Sequence, residues 1–84
     1  MSKDIINYQH NGTSICVRDY WNKTQLLFDG AVIDTRKGFI SFGGYTLCGT
    51  IGTDLVTARS TLSFVGEVIS LAINDQVVAT AWKA

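Results

Sequence analysis

Two-residue turn signals between short β-rich runs restrict this chain more than any other feature. Within Thr24 to Phe42 (TQLLFDGAVIDTRKGFISF), Asp29-Gly30 supplies the two positive-φ residues of a type I′ turn, and Leu26 and Phe28 lead into it with strand alternation. Ala31, Ile33 and then Phe39 to Phe42 carry the pattern onward, so the stretch reads as a hairpin running into a third strand. Its layout returns near the C-terminus, where Phe28 to Thr35 lies over Ile73 to Thr80 at an offset of 45 residues. Two related hairpins are therefore expected to frame the chain.

The remaining segments follow the same grammar. Ile5 to His10 and Thr13 to Tyr20 flank Asn11-Gly12, a strong hairpin signal, and in the second run Ile15 and Val17 are expected inward with Arg18 toward solvent or a partner. Gly43-Gly44 reads as a tight turn, and Gly49 inside a strand pattern reads as a bulge or a close backbone approach. Leu55 to Phe64 alternates cleanly, with Val56, Ala58, Ser60, Leu62 and Phe64 on one face; Leu55, Ala58, Arg59 and Leu62 also fit a short helix. Ile69, Leu71 and Ile73 are expected inward in the next run. Eight or nine short strands at this spacing imply a single all-β domain over residues 1–84, a small antiparallel β-sandwich or a closed barrel built from hairpins.

Composition bounds the function. Seven basic and seven acidic residues cancel, so bulk charge argues against duplex nucleic acid or an anionic membrane as partner. The apolar fraction of 46% is high against a charged fraction of 17%, which points to self-association. The N-terminal MSKDIINYQHNG has no apolar signal segment, and the chain reads as a cytoplasmic protein. In that compartment Cys16 and Cys48 are expected as small buried hydrophobes.

Catalytic chemistry is poorly supplied. His10 sits beside the Asn11-Gly12 turn and is expected to be solvated, while hairpin register places Cys16 opposite Asn7 and leaves His10 and Cys16 to meet only on a diagonal. No ligand spacing for a metal is present, no cofactor is expected, and the carboxylates are scattered over turns. Binding residues are better represented. Arg18, Arg36, Lys37 and Arg59 with the rings of Tyr20, Trp21, Tyr45 and Trp82 suit a planar anionic ligand, since guanidinium forks take phosphates and rings stack on a base. The alternative is that Tyr45 and Trp82 complete the core while the cations solvate edge strands. The sequence thus points to a non-enzymatic homo-oligomer that sequesters a small nucleotide-like anion at a subunit interface. Phage accessory proteins that block bacterial immunity offer an analogy. A second reading is a protein-interaction module or inhibitor acting through an exposed edge strand such as Val77 to Trp82.

Overall fold

The computed structural model describes residues 2–37, 44–63 and 66–83. Eight strands and no helix occur among them: β1 (Ser2–His10), β2 (Thr13–Tyr20), β3 (Lys23–Phe28), β4 (Ala31–Lys37), β5 (Tyr45–Ile51), β6 (Asp54–Ser63), β7 (Gly66–Ile73) and β8 (Gln76–Lys83). They form two antiparallel four-stranded meanders, β1-β2-β3-β4 and β5-β6-β7-β8. No helix of the described residues is long and apolar enough to cross a membrane. The expected strand Phe39 to Gly43, the first glycine of the Gly43-Gly44 turn, and Phe64 and Val65 lie outside the described residues.

Each sheet turns one face inward. Ile6, Ile15, Val17, Leu26 and Phe28 from the first sheet join Leu47, Val56, Ala58, Ile69, Leu71 and Ile73 from the second in one buried cluster. This is the two-layer arrangement of a sandwich, in which neither amphipathic sheet could bury its apolar face alone. A closed barrel is not formed among the described residues, because the sheets remain separate ladders. Where β4 meets β5, the Cys48 backbone N–H donates to the side-chain Oδ2 of Asp34 at 3.0 Å, so a carboxylate stands where ladder pairing would need a carbonyl.

The helical alternative for residues 54–64 is overturned. Asp54–Ser63 is a strand with Val56, Ala58 and Ser60 buried, as its four Ser and Thr side chains favour. Leu62, expected inward, is 46% exposed, although Glu67 across the ladder from it is buried.

The internal match is a structural repeat. The β3–β4 and β7–β8 turns both take left-handed backbone, with φ of 49° and 83° at Asp29 and Gly30, and 52° and 67° at Asn74 and Asp75. Each hairpin then carries a bulge at the same place, Ile33 in β4 and Val78 in β8, still 45 residues apart. Each first turn residue also brackets the neighbouring strand. Asp29 N donates to Ser14 O while Ser14 N donates to Asp29 Oδ1, both at 2.8 Å. In the second sheet Asn74 N donates to Leu55 O at 2.8 Å and Leu55 N donates to Asn74 Oδ1 at 2.9 Å. Ser14 and Leu55 are 41 apart; the change in offset from 41 to 45 is the two extra residue pairs, Leu62 with Glu67 and Ser63 with Gly66, that lengthen the second sheet.

Gly49 is a close approach and not a bulge, since β5 pairs with β6 in unbroken register. A Cβ there would lie 2.5 Å from Ile33 Cγ2 and 3.1 Å from the Phe28 ring. The missing side chain is what lets the bulged β4 lie against β5. Gly49→Ala is expected to destabilise the protein by about 1–3 kcal/mol through overpacking, read as a lowered urea midpoint at unchanged m-value.

Candidate functional site

The outer faces of the two sheets can be compared row by row, because the repeat places equivalent residues on both. The central row is Arg18, Gln25 and Thr35 on the first sheet and Arg59, Ser70 and Thr80 on the second. The row toward the turns is Cys16, Leu27 and Val32 on the first and Thr57, Ala72 and Val77 on the second. Two arginines expected to share a binding task thus occupy equivalent positions on opposite sides of the molecule.

Their surroundings differ. Asp4 stands across the ladder from Arg18, and Arg18 Nε donates to Asp4 Oδ1 at 2.7 Å. That hydrogen bond holds the Asp4 carboxyl below its usual range and keeps Arg18 more firmly cationic than usual. Below the pair, Cys16 and Leu27 are buried. On the second sheet Thr46 stands across from Arg59 in place of the acid, so no carboxylate faces Arg59 over the ladder. Ala72 and Thr57 replace the two buried side chains. The space they vacate is a cleft of about 190 Å³ lined by Thr57, Arg59, Ser70, Ala72, Asp75 and Val77. Trp82 lies on the same face one row beyond Arg59, across the ladder from Val68, and is 65% exposed. The cleft therefore offers an exposed guanidinium, two hydroxyls, an apolar floor and a carboxylate at its turn-side end, with an indole alongside.

The expected ligand residues do not converge. Arg18 is committed to Asp4 on the first sheet, and Arg59 alone reaches the cleft. Trp21 is an exposed residue of the β2–β3 turn, Arg36 Nη1 donates to the Lys37 carbonyl at 2.7 Å, and Lys37 is exposed at the end of β4. Tyr45 packs against the core from the start of β5. Trp82 was among the rings expected to stack on a ligand, whereas Asp75 and the small residues Ala72 and Thr57 were not expected at a site. Only pairing register reveals them, although the alternation of Thr57 and Arg59 was visible in the sequence.

His10 is not merely solvated. Its Nε2 lies 2.8 Å from Asp54 Oδ2, and Asn74 Nδ2 donates to Asp54 Oδ1 at 2.9 Å, so one carboxylate joins the β1–β2 turn of the first sheet to two turns of the second. The histidine thereby has a structural task at the edge of the sandwich. Cys16 pairs with Asn7, as hairpin register requires, and burial, reinforced by the Asp4 charge, pushes its thiol pKa up and away from nucleophilic use. Cys48, expected buried, is exposed on β5; both cysteines are free thiols. Among the described residues no group of three or more His, Cys, Asp or Glu side chains is placed to hold a metal ion. Within the core, Thr24, Ser60 and Glu67 are buried; Ser60 Oγ donates to Glu67 Oε2 and Thr24 Oγ1 donates to Asp19 Oδ1 at 3.0 Å.

Comparison with known proteins finds no matching family, no similar curated protein and no similar solved structure, so the chemistry of the site itself has to carry the functional argument.

The hydrogen bond from His10, and then that from Asn74, holds the Asp54 carboxyl below its ordinary range. A depressed carboxyl contributes stability that is present above its unfolded pKa and is lost as pH falls through its folded pKa. Asp54→Asn is therefore expected to lower the melting temperature at neutral pH and to flatten its decline on acidification; thermal melts across the carboxylate range read both effects.

Proposed function

We propose that the protein is a non-enzymatic cytoplasmic binding protein that sequesters a small, anionic, nucleotide-like ligand in the cleft of the second sheet. The supporting observation is the contrast between the two arginines: Arg18 is neutralised by Asp4, while Arg59 overlooks a cleft with no acid across the ladder. A phosphate on Arg59 takes charge-assisted hydrogen bonds. The ring then lies over Ala72 and Val77, and Asp75 accepts from a ring or exocyclic N–H at the far end.

Size argues for an assembly. Ligand pockets commonly enclose about 300–1,000 Å³, and the cleft of about 190 Å³ is too small to bury a nucleotide by itself. A second copy seated on the β8 edge, where Val77 is 58% exposed and Trp82 65%, would supply the missing wall. The alternative is strand addition to another protein's sheet.

Native mass spectrometry of protein taken directly from its expression host tests the proposal. A multimer retaining an added mass of small-molecule size is expected. Arg59→Ala should lose that mass, Arg18→Ala should keep it, and Arg59→Ala should leave the melting temperature within a few degrees of the parent. Ala72→Leu copies Leu27 of the first sheet and should fill the cleft and block retention while the fold is kept. A bare monomer sinks the interface pocket, and a bound polypeptide that survives Arg59→Ala supports strand addition instead.

A further inference from the structure

Net neutrality hides a separation of charge along the strands. Four of the five two-residue turns of the described residues, Asn11-Gly12, Asp29-Gly30, Gly52-Thr53 and Asn74-Asp75, lie at one end, as the bond between His10 and Asp54 shows by joining turns of both sheets; the fifth, Trp21-Asn22, lies at the other. Asp29, Asp54 and Asp75 are at that end. Lys3 at the start of β1, Lys23 at the start of β3, Arg36 and Lys37 at the end of β4 and Lys83 at the end of β8 all lie at the opposite end, five of the seven basic residues. Of the carboxylates near them, Asp4 pairs with Arg18, Asp19 stands across the ladder from Lys3 and accepts from Thr24, and Glu67 stands across from Lys83 and is buried with Ser60; Lys23, Arg36 and Lys37 have no acid across their ladders.

Both tryptophans of the chain are at this end too. Trp21 is 72% exposed in the β2–β3 turn, and Trp82 is 65% exposed next to Lys83. Because β8 lies against β1 at the side of the sandwich, the lateral order is β8, β1, β2, β3, β4. Across it run Trp82, then Lys3, then Trp21, then Lys23, then Arg36 and Lys37. At about 4.8 Å between paired strands this alternation of ring and cation extends for roughly 20 Å.

We infer that this end is a binding surface for single-stranded nucleic acid. The surface shares Trp82 with the rim of the Arg59 cleft but none of its cations, and the inference goes beyond the proposal made for that cleft. Phosphates meet the cations, and unstacked bases lie on the exposed indoles, the combination that holds single strands without sequence preference. A duplex keeps its bases stacked and offers the rings nothing. A bilayer needs a contiguous apolar wedge; Trp21 is followed by Asn22 and Lys23, and the Lys23 ammonium sits 4.7 Å from the centroid of the Tyr20 ring that precedes it.

The test is fluorescence anisotropy of a labelled oligothymidylate of roughly 12 nucleotides, compared with the same label on a duplex and with vesicles containing phosphatidylserine. Binding to the single strand at low salt is expected, with quenching of tryptophan emission and a log–log salt slope of about −2 to −4, set by roughly 0.7 per neutralised phosphate. Trp21→Ala should weaken binding about tenfold with an unchanged melting temperature, since the side chain is largely in water. Lys37→Glu should weaken binding and flatten the salt slope, and Arg59→Ala should leave it unaltered. Absence of oligonucleotide binding, equal affinity for the duplex, partition to vesicles alone, or indifference to Trp21→Ala would each overturn the inference.

Discussion

The structure depends on two Asx side chains that bracket their neighbouring strands. Asp29 and Asn74 each hold a left-handed turn residue while the side-chain oxygen accepts from the backbone of the adjacent hairpin, at Ser14 and at Leu55. A slip of one residue in a strand exchanges its core and solvent faces. By tying turn to neighbouring strand, each bracket fixes the register of a whole sheet, and with it the inward set that forms the shared core. The bulges at Ile33 and Val78 follow at the same distance from each turn.

Repetition of that device makes the differences between the sheets informative. The first sheet carries buried Cys16 and Leu27 on its outer face and neutralises its central arginine. The second trims the same positions to Thr57 and Ala72 and removes the opposing acid. Filling an outer face adds packing to a chain of 84 residues, whose stability margin is small. Leaving one face open forgoes that gain, which is the signature of a surface kept for contact with something else.

Charge follows a similar logic. The two ends of the sandwich differ in sign: four two-residue turns carry aspartates at one, while the starts of β1 and β3 and the ends of β4 and β8 carry lysines at the other. Asp is favoured in turns for its own backbone hydrogen bonds, so the acidic end is partly a by-product of turn chemistry. No comparable local requirement gathers cations beside two exposed indoles.

Much of the fold was legible in the chain. Turn pairs such as Asn11-Gly12 and Asp29-Gly30 located hairpins because few residues tolerate positive φ, and alternation at Val56, Ala58, Ile69 and Leu71 named the buried faces because strand periodicity is local. The hairpin repeat was visible at an offset of 45 for the same reason. The site was far less legible. Arg18 and Arg59 look alike in sequence, and what separates them is whether Asp4 or Thr46 stands across the ladder, a matter of pairing between residues far apart in the chain. Equal numbers of acids and bases concealed their segregation, since that depends on which strand ends share one side of the sandwich. The sequence by itself determined the strands, the turns and the inward faces, which rest on short-range backbone and side-chain preferences. Tertiary structure alone decided which arginine is neutralised, where the cleft opens and where the cations gather, because these follow from register and from the packing of one sheet on the other.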